Sequence, residues 1–227
     1  MESPSHPSLH IAAGTRFGHR VGCAWQRTAR VLVEATADVS AGPGLHLLVA
    51  PNGAGKTTLM RTLARLHPAL HGQPAVKGRV HYVSDDLRMD AELAPHTLFR
   101  AWLRAEALAF AGQLADRLKL DVRQSIGKHS RGNRQKVLLI IAEALAAHSG
   151  ASVLLLDEPL TGLDASTREV VTGFWAETPS ILRFVVLHEL ESLRAADSLF
   201  TIAQGTLRHV CERAAGKSWA ETYHDLS

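Results

Sequence analysis

One stretch of this sequence has the residue types and spacing that phosphate binding requires. Residues 50–57 consist of a small residue, Ala50, four spacers and then Gly-Lys-Thr. Glycines in such a loop turn successive backbone N–H groups towards phosphate oxygens, because they adopt angles that other residues avoid. Lys56 would add positive charge near the terminal phosphates, and the Thr57 hydroxyl would bind Mg²⁺. The residues predicted to line this site are Asn52, Gly53, Ala54, Gly55, Lys56, Thr57 and Thr58.

A second group of chemically competent residues follows an apolar run. Residues 153–156 are apolar, which suits a parallel strand buried on both faces, and Asp157 and Glu158 come directly after them. Ligands of open α/β sheets bind at this C-terminal end of the strands. We expect Asp157 to hold Mg²⁺ through water and Glu158 to polarise an attacking water molecule. The competing interpretation is a strand that ends in a solvated acidic turn.

The elements around residues 50–57 occur in the order strand, loop, helix. His46–Val49 is an apolar run of strand length. Over residues 58–70 leucines recur every three or four positions, which predicts a helix whose positive N-terminal end faces the anion. Ala50 replaces the usual glycine at the first position and restricts the backbone there. An ordinary Gly-rich turn would explain the glycines but not this order of elements.

Strands and helices alternate along much of the chain, which predicts an α/β fold. We expect a P-loop NTPase core with a mostly parallel sheet, an N-terminal antiparallel β layer and a small helical subdomain over about residues 86–135. Residues 1–8 are predicted to form a flexible tail, and residues 9–227 one domain. Val31–Val33 and Arg79–Val83 are predicted strands.

Helix boundaries are predicted from capping and breaking residues. Thr97 is expected to cap a helix that Gly112 breaks, and a longer helix is expected to begin at Arg134. Ser166 and Glu169 have the spacing of a capping box, so a helix is predicted to begin near them.

Composition limits the protein class. The 227 residues are 46% hydrophobic and 21% charged, which is typical of a soluble globular protein. The net charge of +3 comes without a Lys/Arg run, so no nucleic-acid partner is predicted. The two cysteines, Cys23 and Cys211, lack disulfide or metal spacing, which indicates a reducing cytosol. We expect neither a signal peptide nor a membrane-spanning helix.

Together these motifs resemble those of the nucleotide-binding subunit of an ATP-binding cassette (ABC) transporter, of the exporter type. The acidic pair, the loop Leu160–Asp164 and the later His188 match that family in order and spacing over roughly Val31–Gly205. In the family the histidine contacts the γ-phosphate and the attacking water. On local grounds alone, Asp164 is equally well explained as a helix-start residue.

The family's signature loop is similar to residues 129–136. Ser130 and Gly132 match it, while Arg131 and Asn133 replace a glycine and the glutamine. The resemblance implies that Ser130 and the Gly132 amide, at the positive end of a helix, contact the γ-phosphate of ATP held by a second subunit.

The resemblance also implies two ligands at less well matched positions. Asp85 stands where the family has a glutamine, and it can still accept a magnesium-bound water. Trp25 lies where the family places an aromatic side chain that stacks on adenine, and Phe17 is a second candidate. A packed core aromatic is the alternative for either residue.

The implied activity is ATP hydrolysis with Mg²⁺, in which Lys56, Glu158 and His188 are catalytic. ATP would bridge two ATP-binding subunits, identical or paralogous, and a separate transmembrane permease would dock on residues 85–130. That arrangement places the chain at the cytoplasmic face of the membrane. Phe99 and Trp102 could form the docking surface or the small core of the helical subdomain, and the core is favoured.

Three other functions remain as alternatives. A soluble ABC-type ATPase of DNA repair or translation is the first, although the chain has neither a long coiled-coil insertion nor a second cassette. A small-molecule or nucleotide kinase would share the phosphate loop but lack the element around Ser130. A non-enzymatic ATP binder would need neither Glu158 nor His188.

Overall fold

The computed structural model describes residues 6–23, 26–84, 86–187, 196–213 and 216–226. Three predicted site residues, Trp25, Asp85 and His188, lie outside these ranges. The elements in chain order are β1 (Ser8–Ile11), β2 (Arg16–Cys23), β3 (Gln26–Ala35), β4 (Val39–Ala41), β5 (Gly44–Val49), α1 (Lys56–Leu63), β6 (Ala75–Lys77), β7 (Arg79–Ser84), α2 (Pro95–Trp102), α3 (Ala105–Arg117), a 3₁₀ turn (Ile126–Lys128), α4 (Arg131–Ala147), β8 (Ser152–Asp157), α5 (Ala165–Glu177), β9 (Leu182–Val186), β10 (Ser198–Ala203), β11 (Thr206–Val210) and α6 (Trp219–Leu226).

An eight-stranded sheet in the order β2-β3-β11-β10-β5-β9-β8-β7 organises the described part of the chain. The strands from β10 through β5, β9 and β8 to β7 are parallel to one another. Antiparallel pairs join β2 to β3 and β11 to β10. The predicted α/β core with a mostly parallel sheet is therefore confirmed.

Neighbouring residues of the central strands belong to different sides of this sheet. Leu47 and Leu154 pack in a cluster with α2, α3, α4 and α5, whereas Leu48 and Leu155 pack in a cluster with α1 and the small sheet. All four side chains are fully buried. Because both faces are covered, these strands consist mostly of apolar residues and show no regular alternation with polar ones.

The predicted antiparallel β layer is a three-stranded sheet in the order β4-β1-β6. The β2–β3 hairpin is also N-terminal, but it joins the large sheet and not this layer. Strand β1 already begins at Ser8, within the predicted tail.

Helix α1 is shorter than predicted. It ends at Leu63 rather than near residue 70, because Arg65 takes the left-handed conformation with φ of 60°. Leu66, which the periodicity assigned to the buried face, is 67% exposed. The leucine spacing therefore continued past the end of the helix, and that part of the prediction was wrong.

Helices α2 and α3 also differ from their predictions. Ala94 is the N-cap of α2 and Pro95 its first residue, so Thr97 lies inside the first turn. Leu103 is extended and buried, and it ends α2 before α3 begins. Gly112 does not break α3, because the surrounding turns of α3 continue through it. No helix within the described ranges is long and apolar enough to span a bilayer.

Candidate functional site

The loop between β5 and α1 has the backbone that phosphate binding requires. Gly53 and Gly55 have φ values of 77° and 99°, in the left-handed region that favours glycine. Gly55 is also confined by space, because an added Cβ would lie 2.8 Å from the Val33 Cγ2. Gly55 is the N-cap of α1, so the free N–H groups of the first helical turn point into the loop.

The Lys56 side chain folds back over this loop. Its Nζ donates to the carbonyl oxygens of Ala50 at 2.8 Å and Pro51 at 3.1 Å, and the side chain is buried. Burial lowers the pKa of Lys56, and the carboxylates of Glu158 and Asp157 oppose that shift. The bond to Ala50 uses a backbone carbonyl, so alanine serves this contact as well as glycine would.

Asp157, the last residue of β8, lies against the start of α1. Thr57 and Tyr82 both hydrogen-bond to its carboxylate, and the Tyr82 hydroxyl donates to Oδ2 at 3.4 Å. Burial raises the pKa of Asp157, while the bond from Thr57 opposes the rise. Tyr82 is a site residue that sequence reasoning missed. The sequence could have indicated it, because β7 was a predicted strand and Tyr82 lies two positions before the C-terminal end of β7.

Glu158 has an unusual backbone. Its φ of 56° lies in the left-handed region, a conformation that costs a non-glycine residue about 1–3 kcal/mol. The N–H of Glu158 donates to the Val186 carbonyl at 3.2 Å, and its own carbonyl accepts from the Thr161 N–H at 3.2 Å. These bonds hold the strained turn directly after Asp157. The charge of Glu158 raises the pKa of both Lys56 and Asp157, so the three groups form one cluster.

A chain of hydrogen bonds between neutral side chains holds strand β5 to its neighbours. His46 Nε2 donates to the Gly42 carbonyl at 2.9 Å, so its Nδ1 accepts from the Ser198 hydroxyl at 2.8 Å. His209 Nε2 then donates to Ser198 Oγ at 2.9 Å. Burial lowers the pKa of His46, and it lowers the pKa of His209 to about 4. The chain links β5 to β10 and β11.

The predicted signature residues form a second cluster at the start of α4. Ser130 is the N-cap, and its Oγ accepts from the Asn133 N–H at 3.2 Å, so α4 begins at Arg131 and not at Arg134. An added Cβ on Gly132 would lie 2.4 Å from the Gly162 carbonyl oxygen. Gly132 is therefore required by close contact with the loop that follows Glu158.

Asp164 has a structural explanation. It is the N-cap of α5, and its Oδ1 accepts from the Thr167 N–H at 2.8 Å and from the Ser166 hydroxyl at 2.7 Å. These bonds hold the pKa of Asp164 well below its usual range. The helix predicted to begin near Ser166 is present, but the capping box of Ser166 and Glu169 is wrong, because Asp164 is the N-cap and α5 begins at Ala165.

Comparison with known proteins identifies the family. Residues 34–161 match the family model described as ABC transporter, and this range contains the phosphate loop, the signature turn and the acidic pair. The chain belongs to the ABC transporter family. The "Aliphatic sulfonates import ATP-binding protein SsuB 1" of Pseudomonas fluorescens is 34% identical over 190 residues, 75% of this chain and 67% of that protein.

A second relative belongs to a different kind of ABC protein. The "ATP-dependent lipid A-core flippase" of Xanthomonas oryzae pv. oryzae is 30% identical over 222 residues, 85% of this chain but 35% of that protein. The chain spans between about a third and two thirds of the curated relatives that it matches. Because the relatives include importer and flippase proteins, the exporter type stays a prediction.

A solved ABC structure has the same fold. It is a dimeric ATP-binding cassette in a post-hydrolysis state bound to ADP and Pi, with a TM-score of 0.69 and 15% identity. The match covers 91% of this chain and 99% of that one. The resemblance to the ABC fold that the motifs indicated is thus confirmed.

One aromatic candidate for adenine stacking in this ABC protein does not hold. Phe17 is fully buried in the core cluster beside α1, so its ring faces no ligand. An aromatic side chain beside the first turn of α1 is that of His19, which sequence reasoning missed. The His19 Nε2 lies 3.2 Å from the Thr58 Oγ1, and its ring packs edge-on against His67 at 5.3 Å. No local sequence pattern predicts that β2 lies beside α1.

Proposed function

We propose that this chain is the ATP-hydrolysing subunit of an ABC transporter and works as a pair with a second ATP-binding subunit. One observation carries the proposal: Lys56, Thr57, Asp157 and Glu158 meet at the C-terminal ends of two parallel strands. Ligands of α/β sheets bind at that edge. A cationic loop beside paired carboxylates suits transfer of a phosphoryl group to water.

The donor set at this edge fits Mg²⁺. The Thr57 hydroxyl and the Asp157 carboxylate are hydrogen-bonded to each other, so both oxygens can reach one ion. Hard oxygen donors beside a triphosphate are the ligands that Mg²⁺ prefers. The ion, when bound, would neutralise charge on the phosphates. Asp85 stays a proposed additional contact through water.

The residues of the chain have separable roles in hydrolysis. The loop N–H groups and Lys56 bind and orient the phosphates. Glu158 accepts a proton from the attacking water, and the strained backbone after β8 holds its carboxylate near Lys56. His188 is proposed to contact the γ-phosphate.

The second half of each site would come from the partner. Ser130 and Gly132 stand at the N-terminus of a 17-residue helix, where the helix dipole favours an anion. ATP bound to one subunit would therefore meet the signature turn of the other and join the two. The dimeric state of the related cassette supports this arrangement.

The substitution Glu158→Gln tests the proposed activity. It keeps the size of the side chain but removes the base, so we expect ATP binding to persist while phosphate release falls at least ~100-fold. The stalled protein should then form an ATP-dependent dimer on gel filtration. Glu169→Gln, an exposed change on α5, is the control. Hydrolysis at the parental rate would remove Glu158 from its proposed role.

A membrane permease is the proposed partner, and it would place the chain at the cytoplasmic face of the membrane. A cavity of about 570 Å³ separates the segment after β7 from the first turns of α4. Three arginines, Arg88, Arg131 and Arg134, and apolar side chains line it, so it suits an acidic amphipathic segment. Its lining residues are Leu87, Arg88, Met89, Ala91, Ile126, Gly127, Arg131, Arg134, Gln135 and Leu138.

The two aromatic candidates for the permease contact differ in exposure. Phe99 is 3% exposed and packs in the core, as favoured from the sequence, whereas Trp102 is 55% exposed. Trp102 is thus the side chain that can contact a partner. We expect Trp102→Ser to reduce co-purification with the permease without changing ATP-dependent dimerisation. Leu66→Ser, at a 67% exposed position, is the control, and equal losses in both variants would argue against a specific contact.

A further inference from the structure

Helix α4 is buried on every side over its middle turns. All residues from Gln135 to Ala144 are buried, and the stretch 137–147 contains a single ionisable residue, Glu143. A helix with one apolar stripe is oriented by burying that stripe. Since α4 could bury another face equally well, apolar burial alone does not define its rotation about its own axis.

Two buried side chains of α4 make directional contacts that remove this ambiguity. Lys136 Nζ donates one bond, to the Leu118 carbonyl at 2.9 Å, and Glu143 makes the larger set. Arg183 Nε and Nη2 donate to the two carboxylate oxygens of Glu143 at 3.1 and 2.7 Å, and the Trp175 Nε1 donates to Oε1 at 2.7 Å. The remaining Arg183 nitrogen, Nη1, donates to the Thr178 carbonyl at 2.8 Å. Glu143 and Arg183 are 2% and 1% exposed. Two parallel bonds between planar groups define orientation as well as distance.

Two of the three elements joined here, α4 and α5, build the signature side of the site. Helix α4 begins beside Ser130 and Gly132, and α5, which carries Trp175, follows the loop that contacts Gly132. Arg183 lies on β9, which pairs with β5 on one side and β8 on the other. The contacts at Glu143 therefore set α4 relative to the strands that end at the phosphate loop and at the acidic pair.

Net stabilisation is a weak explanation for this buried pair. Removing two charges from water offsets most of their attraction, so apolar residues of similar size often replace such a pair without loss of stability. Geometric specification is the contribution that an apolar replacement lacks. The chain offers an exposed counterpart for comparison, because Arg117 of α3 also makes a two-point contact, through Nη1 and Nη2, with Glu177 of α5 at 2.9 and 3.1 Å.

We propose that Glu143 and Arg183 are positioning residues that hold the signature turn in the orientation that meets the partner's ATP, an inference that rests on the proposed function. They touch neither nucleotide nor water in the reaction. Their loss should leave nucleotide binding by the phosphate loop intact and weaken the ATP-dependent pairing of subunits. A role in stability alone would instead reduce both properties together with the folded fraction.

The test is the double substitution Glu143→Met and Arg183→Met, made in the Glu158→Gln protein. Nucleotide affinity is measured on the monomer by equilibrium dialysis with ATP, and dimerisation by sedimentation at increasing protein concentration. We expect the nucleotide Kd to change less than about twofold and the dimer Kd to rise at least tenfold. The matched control, Arg117→Met with Glu177→Met, should change neither value.

Arg183→Lys provides a second measurement if the double variant does not fold. Lysine keeps the charge but cannot make the two-point contact, so we expect weaker dimerisation with unchanged nucleotide affinity. Dimerisation at the parental concentration in either folded variant would overturn the positioning role. Failure of the Glu158→Gln parent itself to dimerise with ATP would instead overturn the proposed function, and the positioning role with it.

Discussion

The loop 50–57 and the signature turn 130–132 are both proposed to contact phosphate, and the contacts that hold these two regions differ in range. The Lys56 ammonium binds carbonyls five and six residues away, and Gly53 and Gly55 supply the loop conformation themselves. The signature turn instead depends on Gly162, 30 residues away. The helix behind it depends on a bond between Glu143 and Arg183, 40 residues apart.

This difference has a physical consequence. A loop held largely by its own backbone angles and short-range bonds is less sensitive to distant changes. Its longer-range contacts, Val33 beside Gly55 and Asp157 bonded to Thr57, come from strands of the large sheet. A turn defined by long-range packing moves with the elements that hold it, because interior packing transmits small displacements. Nucleotide binding should therefore tolerate distant substitutions that dimerisation does not.

The largest effect is expected from Lys56→Ala, on the phosphate-loop side. The change removes a buried positive charge from the loop, so we expect ATP hydrolysis to fall by about 10²–10³-fold, and nucleotide affinity to fall with it. Phosphate release and equilibrium dialysis measure the two. Lys77→Ala, at an exposed position on β6, should have no effect. Unchanged hydrolysis in the Lys56 variant would contradict the assignment of these residues as an ATP-hydrolysing site.

Gly132→Ala acts on the signature side only. The added Cβ would lie 2.4 Å from the Gly162 carbonyl oxygen, so either the start of α4 or the loop at Gly162 must shift. We expect nucleotide binding by the monomer to persist, and dimerisation of the Glu158→Gln protein to weaken about tenfold or more. The control is Gly112→Ala, because nothing lies within 4 Å of an added Cβ there. A parallel loss of nucleotide binding in the Gly132 variant would break the distinction between the two sides.

The smallest effect is expected on the pH dependence of stability. It comes from His46 and His209, which with Ser198 link β5 to β10 and β11. Folding lowers the pKa of both histidines from 6.5, that of His209 to about 4, so the unfolded chain binds protons more readily than the folded one. Their contribution to stability is complete above about pH 6.5 and is lost as the pH falls towards 4. We expect the melting temperature to fall by a few degrees over that range.

His209→Gln isolates this acid sensitivity from that of the carboxylates. A glutamine amide can still donate to Ser198 Oγ but does not titrate. The variant should show a shallower decline of melting temperature below pH 6.5, measured by circular dichroism. A decline as steep as in the parent would assign the acid sensitivity to other groups.

Much of the candidate site was predictable because its information is local. Residues 50–57 and the pair Asp157 and Glu158 are contiguous motifs, and a buried parallel strand requires the apolar run that precedes the pair. The end of α1 was missed because Arg65 terminates the helix through its backbone, while the leucine spacing continues beyond it. His19 was missed because its contact with Thr58 requires β2 to lie beside α1.

The amino-acid sequence by itself determined the phosphate loop, the acidic strand end and the parallel core, since each follows from neighbouring residues whose conformations depend little on distant groups. Tertiary structure decided how the signature side is held. In the sequence Glu143 is only an interruption of an apolar run and Arg183 a charge beside a buried strand. Only packing of α4 and α5 on β9 brings their side chains together, because a contact between residues 40 positions apart is a property of the folded chain.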